Sequence, residues 1–105
     1  MDGMAIGASG VYTAAQGVAL GANNVANVNT SGYRAQSLQQ QALPQGGVAV
    51  DGVQASQAPP NPGGSNVDLA TEAVNLDTQG AGYTANLKFL QVQQNLLGTA
   101  LDMQA

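Results

Sequence analysis

Apolar residues recur along the first quarter of the chain at alternating steps of four and three, through Met4, Ala8, Val11, Ala15, Val18, Ala22 and Val25. That is the heptad rhythm of a helix with a continuous seam, and it predicts one helix of about 25 residues, roughly 37 Å long. A second line at the same steps runs beside it through Gly3, Gly7, Gly10, Ala14, Gly17 and Gly21. One strip of the helix surface therefore carries almost no side chain, and a neighbouring helix can approach it closely. Each Gly in a helix costs about 1 kcal/mol relative to Ala, so this helix is expected to be marginal until partners bury it. The stretch ANNVANVNTSGYR, Ala22 to Arg34, ends it. Asn24, Asn27, Asn29 and Thr30 carry side chains that bond nearby backbone groups, Gly32 supplies the left-handed conformation of a helix stop, and Tyr33 anchors the turn.

A second, longer helical pattern passes through Leu69, Ala73, Leu76, Gly80, Tyr83, Leu87, Leu90, Gln94, Leu97 and Leu101, again in steps of four and three. It predicts a helix roughly 50 Å long. Ser65 is placed to cap it, while Asp68 and Glu72 put negative charge in the first turns, where the helix dipole favours it. Toward the C-terminus another apolar line appears at Ala85, Phe89, Val92, Leu96, Ala100 and Met103. The distal half is thus apolar over a wide arc, and such a helix expects more than one neighbour.

The residues between the helices change character. Leu38, Gln40 and Ala42 alternate weakly with polar residues, and Val48, Val50 and Val53 follow Gly46 and Gly47. Two short strands joined by a turn over Pro44 to Gly47 are predicted. Ala58, Pro59, Pro60, Asn61, Pro62, Gly63 and Gly64 then form an extended linker that cannot be helical. The expected organisation is residues 1–34 as a helix with its terminal motif, 35–64 as hairpin and linker, and 65–105 as the second helix. Together these make one mainly α, discontinuous domain. The connection is long enough for the helices to fold back antiparallel, and pairing with helices of other chains is the alternative.

Composition narrows the function classes. In 105 residues there are 14 Gly, one Phe and no Trp, which leaves few large side chains for a private core. Neither helix can hide both of its lines, and exposed apolar surface of that kind marks association. Charged residues are 8% of the chain, and the two basic ones, Arg34 and Lys88, are too few to neutralise a nucleic-acid backbone. With no His and no Cys, the commonest acid–base group, thiol nucleophile and thiolate metal site are all missing, and Ser9, Ser31 and Ser65 have no base at useful spacing. No catalytic residue, metal ligand or cofactor is expected. The run Gly3 to Tyr33 is uncharged, but it contains Gln16, Asn23, Asn24, Asn27 and Asn29 and is mostly Ala and Gly, so an integral membrane span is not expected. A cleavable signal peptide is not expected either, since Asp2 follows Met1 and there is no basic region before a compact apolar run.

Two groups of residues at opposite ends of the chain carry a family resemblance. The first is Ser9, Gly10, Ala14, Ala15, Asn24, Val25, Ala26, Asn27, Asn29, Thr30, Gly32 and Tyr33. The second is Asn66, Val67, Asp68, Leu69, Glu72, Asn75, Leu76, Tyr83, Ala85, Asn86, Leu97, Gly98, Leu101 and Asp102. In both, the chain resembles the bacterial flagellar axial proteins, the rod, hook and hook-associated subunits, and most of all a basal-body rod protein. The sequence departs from the family pattern in two places. Only about 30 residues intervene where many members carry a globular domain, as in a stripped, proximal-rod form. Gln79, Gly80, Ala81 and Gly82 also stand before Tyr83, where a basic residue is common.

The resemblance implies an antiparallel α-helical coiled coil of the two terminal helices, in the inner layer of a tubular, torque-transmitting assembly. It also implies no enzymatic role, delivery by the flagellum's own type III export apparatus, and an extracytoplasmic, periplasmic location in the basal body. Partners would be further copies of the chain, other rod or hook subunits, and the export apparatus. Val11, Val18, Val25, Leu76, Tyr83, Leu87, Leu90, Leu97 and Leu101 are the expected packing residues, and Asn24, Asn27 and Asn29 the expected capping and intersubunit hydrogen bonders. The alternatives are a soluble helical oligomer acting as a type III export adaptor or chaperone, an enzyme, and a membrane-active helix, which would need a basic face.

Overall fold

In the computed structural model, residues 3–62 and 64–104 are described, residue 104 without its side chain. Gly63 of the expected linker, Met1 and Asp2 at the start, and Ala105 at the end lie outside the described residues. The order is α1 (Gly3–Ala26), β1 (Gln36–Ala42), β2 (Val48–Ala55) and α2 (Leu69–Gln104). The two helices and the hairpin between them fall where the periodicities place them.

The helices run antiparallel, and glycine sets their spacing. Gly3 faces Gln93, Gly7 faces Phe89 and Leu90, Gly10 faces Asn86, Gly17 faces Gln79, and Gly21 faces Leu76 and Glu72. Layers in which a glycine meets a side-chain amide thus alternate with layers in which a glycine meets a leucine. The buried line of α1 is therefore the glycine line, with Gly7, Gly10, Thr13, Ala14, Gly21 and Asn24 all buried. This corrects the expected seam. Val11 and Val18 are half-buried on its flank, and Ala8, Ala15, Ala22 and Val25 are exposed. A backbone without side chains lets the partner helix come in until its own side chains cover the peptide groups, which a line of Val and Ala would prevent.

On α2 the correction is similar. The line toward α1 is Glu72, Leu76, Gln79, Asn86, Leu90 and Gln93, so of the expected seam only Leu76 and Leu90 face α1. Leu69, Tyr83, Leu87, Leu97 and Leu101 are exposed. The helix begins at Leu69 because Asp68, not Ser65, caps it: Asp68 Oδ1 accepts from the Ala70 and Thr71 amides at 3.0 and 3.3 Å. Ser65 lies in the extended approach to α2, fully buried, and its hydroxyl donates to the Val28 carbonyl.

A methyl group added at Gly7 would lie 2.9 Å from Phe89 Cδ1 and 3.0 Å from two carbons of Leu90. Gly7→Ala is therefore expected to lose about 1 kcal/mol net, an overpacking strain of about 2 kcal/mol outweighing the gain in helix propensity. Gly82 on α2 has nothing within 4 Å of such a methyl. Gly82→Ala should gain about 1 kcal/mol. Urea unfolding of the two variants at equal protein concentration checks the opposite signs.

The hairpin lies along α1. Its strands pair antiparallel from Gln36↔Ala55 to Ala42↔Val48, with a bulge between Gln39 and Gln40. Gly46 and Gly47 close the turn with φ of 96° and 93°, a region other residues resist, within the predicted Pro44 to Gly47 turn. At the tip, Ser9 Oγ donates to the Ile6 carbonyl at 2.7 Å and accepts from the Val48 amide at 3.2 Å. Ile6 Cδ1 packs beneath Gly46. Ala14 and Val67 are the buried hydrophobic residues among those described. The radius of gyration is 17.8 Å and the extents are 65 × 23 × 15 Å. A compact domain of this length would have a radius near 13 Å.

Candidate functional site

Two features stand out: a buried polar knot where α1 ends, and the uncovered surface of α2. The knot centres on Asn24, 1% exposed at the last turn of α1. Its Nδ2 donates to the Gln36 carbonyl at 2.8 Å and to Glu72 Oε1 at 3.1 Å. Its Oδ1 accepts from the Tyr33 hydroxyl and from the Gln36 amide, both at 2.9 Å. All four hydrogen-bonding positions of the amide are filled, so one side chain ties the end of α1 to the turn, to the first residue of β1 and to the first turn of α2. Tyr33 is the anchor the sequence predicts, its hydroxyl also accepting from Asn23 Nδ2 at 3.1 Å.

Asn66 does the same work for the linker. Its Oδ1 accepts from the Ala35 amide at 2.6 Å, and its Nδ2 donates to the carbonyls of Ser56 and Ala58 at 3.2 and 3.0 Å. Gly32 has the expected left-handed conformation, φ 80°, but it lies six residues past the end of α1 and is not its stop; its amide donates to the Gly64 carbonyl at 2.8 Å. Arg34 Nη1 donates to the Ser56 carbonyl at 2.8 Å. Asn27 and Thr30 make the local bonds of a helix end, Asn27 Nδ2 to the Asn23 carbonyl at 2.9 Å and Thr30 Oγ1 to Asn27 Oδ1 at 3.1 Å. Asn29 is exposed, and Asn86 donates to the Gly82 carbonyl at 2.8 Å within α2.

Glu72 is buried, 6% exposed, and accepts from Asn24 across 48 residues of sequence. Its charge at the start of α2 is legible in sequence, but this partnership is not. The roles of Gln79 and Gln93 were also missed, although a signal existed. Gln79, Asn86 and Gln93 are spaced by sevens, as are Gly3, Gly10 and Gly17, and the two sets meet one to one.

Ser9 and Ser65 are committed to backbone groups, and Asp68 to its cap. No three His, Cys, Asp or Glu side chains gather as a metal site among the described residues. Thr13 Oγ1 is buried without a partner on the inner face of α1. Thr13→Val, which removes that hydroxyl while keeping the shape, should raise stability by about 1 kcal/mol in urea unfolding.

The uncovered surface belongs mostly to α2. Leu69, Val74, Tyr83, Leu87 and Phe89 are 37–65% exposed, and Val92, Leu96, Leu97, Leu101 and Met103 are 52–83% exposed. Gly3 lies against Gln93, so α2 runs on past the described start of α1 by about 11 residues, or 16 Å. Leu97 and Ala100 continue the line that faces α1 into that overhang. Among the described residues no helix is long and apolar enough to cross a membrane. No family model matches the chain, and no curated protein matches it.

Proposed function

We propose that this chain is a structural subunit of the bacterial flagellar basal-body rod, a non-enzymatic building block that assembles through its terminal helices into a tubular, torque-transmitting axial structure. The observation that carries the assembly half of this reading is the imbalance of burial. Ala14 and Val67 are the described hydrophobic residues that the fold buries, while most of the large apolar side chains of α2, Leu76 and Leu90 apart, are exposed. A patch of that extent on a slender, 65 Å long subunit marks an interface.

The rod assignment draws on the terminal motifs. The polar knot lends it support, because Asn24, Tyr33 and Glu72, drawn from both motifs, meet at one place, and the Asn66 amide donates to the Tyr33 carbonyl beside them. The antiparallel pair, with its alternating amide and leucine layers, then acts as a coiled coil whose half-buried amides fix the register. In the assembled wall, Leu87, Leu97 and Leu101 are the knobs toward neighbouring subunits, which are copies of this chain or other rod and hook proteins. Delivery is by type III export, and the location is periplasmic.

Cell fractionation tests the reading. A rod subunit purifies with detergent-washed basal bodies, and deleting the gene abolishes motility. Recovery of the chain wholly in the soluble fraction, bound to an export substrate, would replace this reading with that of an adaptor or chaperone.

A further inference from the structure

The side of α2 turned away from α1 carries its own pattern. Ala70, Val74, Asp77, Ala81, Thr84, Lys88, Gln91 and Asn95 follow steps of four and three along one line. Val74 on this line and Val92 beside it are 65% and 52% exposed, and Asp77, Ala81, Thr84, Ala85 and Lys88 are all exposed. Between Asp77 and Lys88 the surface is a shallow hollow, floored by Gly80, Ala81, Thr84 and Ala85. A methyl at Gly80 would meet nothing within 4 Å. Lys88 is the only lysine and one of two basic residues in the chain. The other, Arg34, is held at the Ser56 carbonyl. Among the described residues Lys88 has no ion pair or hydrogen bond.

We infer that this face binds a second copy of the chain, α2 against α2 antiparallel about a two-fold axis passing between residues 82 and 83. Asp77 and Lys88 stand three turns apart, about 16 Å, on the same side of the helix. Turning a copy end over end places Asp77 of each helix opposite Lys88 of its partner, so the same two residues form two ion pairs. In the same register Ala81 meets Thr84 and Val74 meets Gln91. The small residues in the middle let the axes approach to about 8 Å, the near limit for packed helices. A face that is complementary to itself in this way generates a closed dimer. An in-register parallel pairing would set Asp77 against Asp77 and Lys88 against Lys88.

The buried surface is about 1,000 Å² in total, at the low end of specific interfaces, and the dimer is correspondingly weak, with Kd of about 0.1 mM. The pairing rests on this face alone and holds whether or not the chain builds a rod. A tube whose subunits all point one way uses head-to-tail contacts, so the dimer is a form of the free subunit that parts as the chain joins the wall.

Sedimentation equilibrium of the full chain at low salt, up to about 1 mM, should show a monomer–dimer equilibrium. Asp77→Lys and Lys88→Asp should each weaken it about tenfold or more, and the double swap should restore it. An equimolar mixture of the two single variants should also dimerise. Asp77→Lys is the telling variant, because it brings the net charge closer to neutral and would strengthen an association limited only by general repulsion between copies. The chain has no cysteine, so orientation is read from disulfides. Copies carrying Val74→Cys should cross-link to copies carrying Gln91→Cys and not to each other. A chain monomeric throughout, single swaps without effect, or cross-linking of Val74→Cys to itself would overturn the inference.

Discussion

Asn24→Leu should lower the stability of the chain by about 3–5 kcal/mol, the largest loss expected from any single substitution in the fold. Leucine fills the space but leaves the Gln36 amide and carbonyl, the Tyr33 hydroxyl and the Glu72 carboxylate without the partner that now meets all four. The carboxylate raises the cost, since Glu72 is buried and the Asn24 amide donates to it. Small domains of this kind have little stability to lose, so the variant should be largely unfolded at room temperature. Tyr33→Phe removes one bond from a less enclosed position and should lose about 1 kcal/mol. Urea titrations of the three chains at one concentration give the comparison. A loss below about 1 kcal/mol for Asn24→Leu would mean that the knot is not what joins the two ends of the chain.

The second large effect falls on assembly and leaves the subunit intact. Leu97→Asp sits on the overhang of α2, beyond the described start of α1, where Leu97 is 52% exposed. At a position more than half exposed the charge is solvated in the free chain, yet in a packed wall it would be buried without a partner. Losing the leucine and burying the carboxylate together should raise the concentration needed for assembly by about a hundredfold or more. Leu87→Asp, at a position 40% exposed on the helix pair itself, should do the same. Far-UV circular dichroism of the free variants should match that of the parent, while pelleting assays or electron microscopy should find no assembled particles. Normal particles from both variants would remove these residues from the interface.

The contrast between these two substitutions follows from which parts of the fold were legible in the sequence. Periodicity together with turn and breaker residues places both helices and the hairpin, because Pro44, Gly46 and Gly47 punctuate the strands and the prolyl linker forbids helix before α2. It also showed that a glycine line exists. It did not show which line of α1 is buried, since the Val and Ala line and the glycine line share one period. The choice between them depends on what the facing helix carries. Gln79, Asn86 and Gln93 carry amide side chains that suit a bare backbone, and that match is visible only once the helices are set antiparallel.

The knot was half legible. Asn24 and Tyr33 stand in one suggestive cluster, and Asn66 and Glu72 in another. The bond between Asn24 and Glu72 spans 48 residues and has no local signature. Ser65 illustrates the opposite error: its spacing before the helix suggests a cap, but tertiary burial claims its hydroxyl for Val28, and Asp68 caps in its place.

All of this rests on a fold that leaves most of the apolar surface of α2 to be covered by other molecules. Thermal unfolding followed by circular dichroism, from about 10 µM to about 1 mM protein, measures that dependence directly. The melting temperature should rise with concentration, and the transition of the dilute chain should be shallow. A sharp transition at one temperature across the whole range, from a chain that remains monomeric, would contradict it.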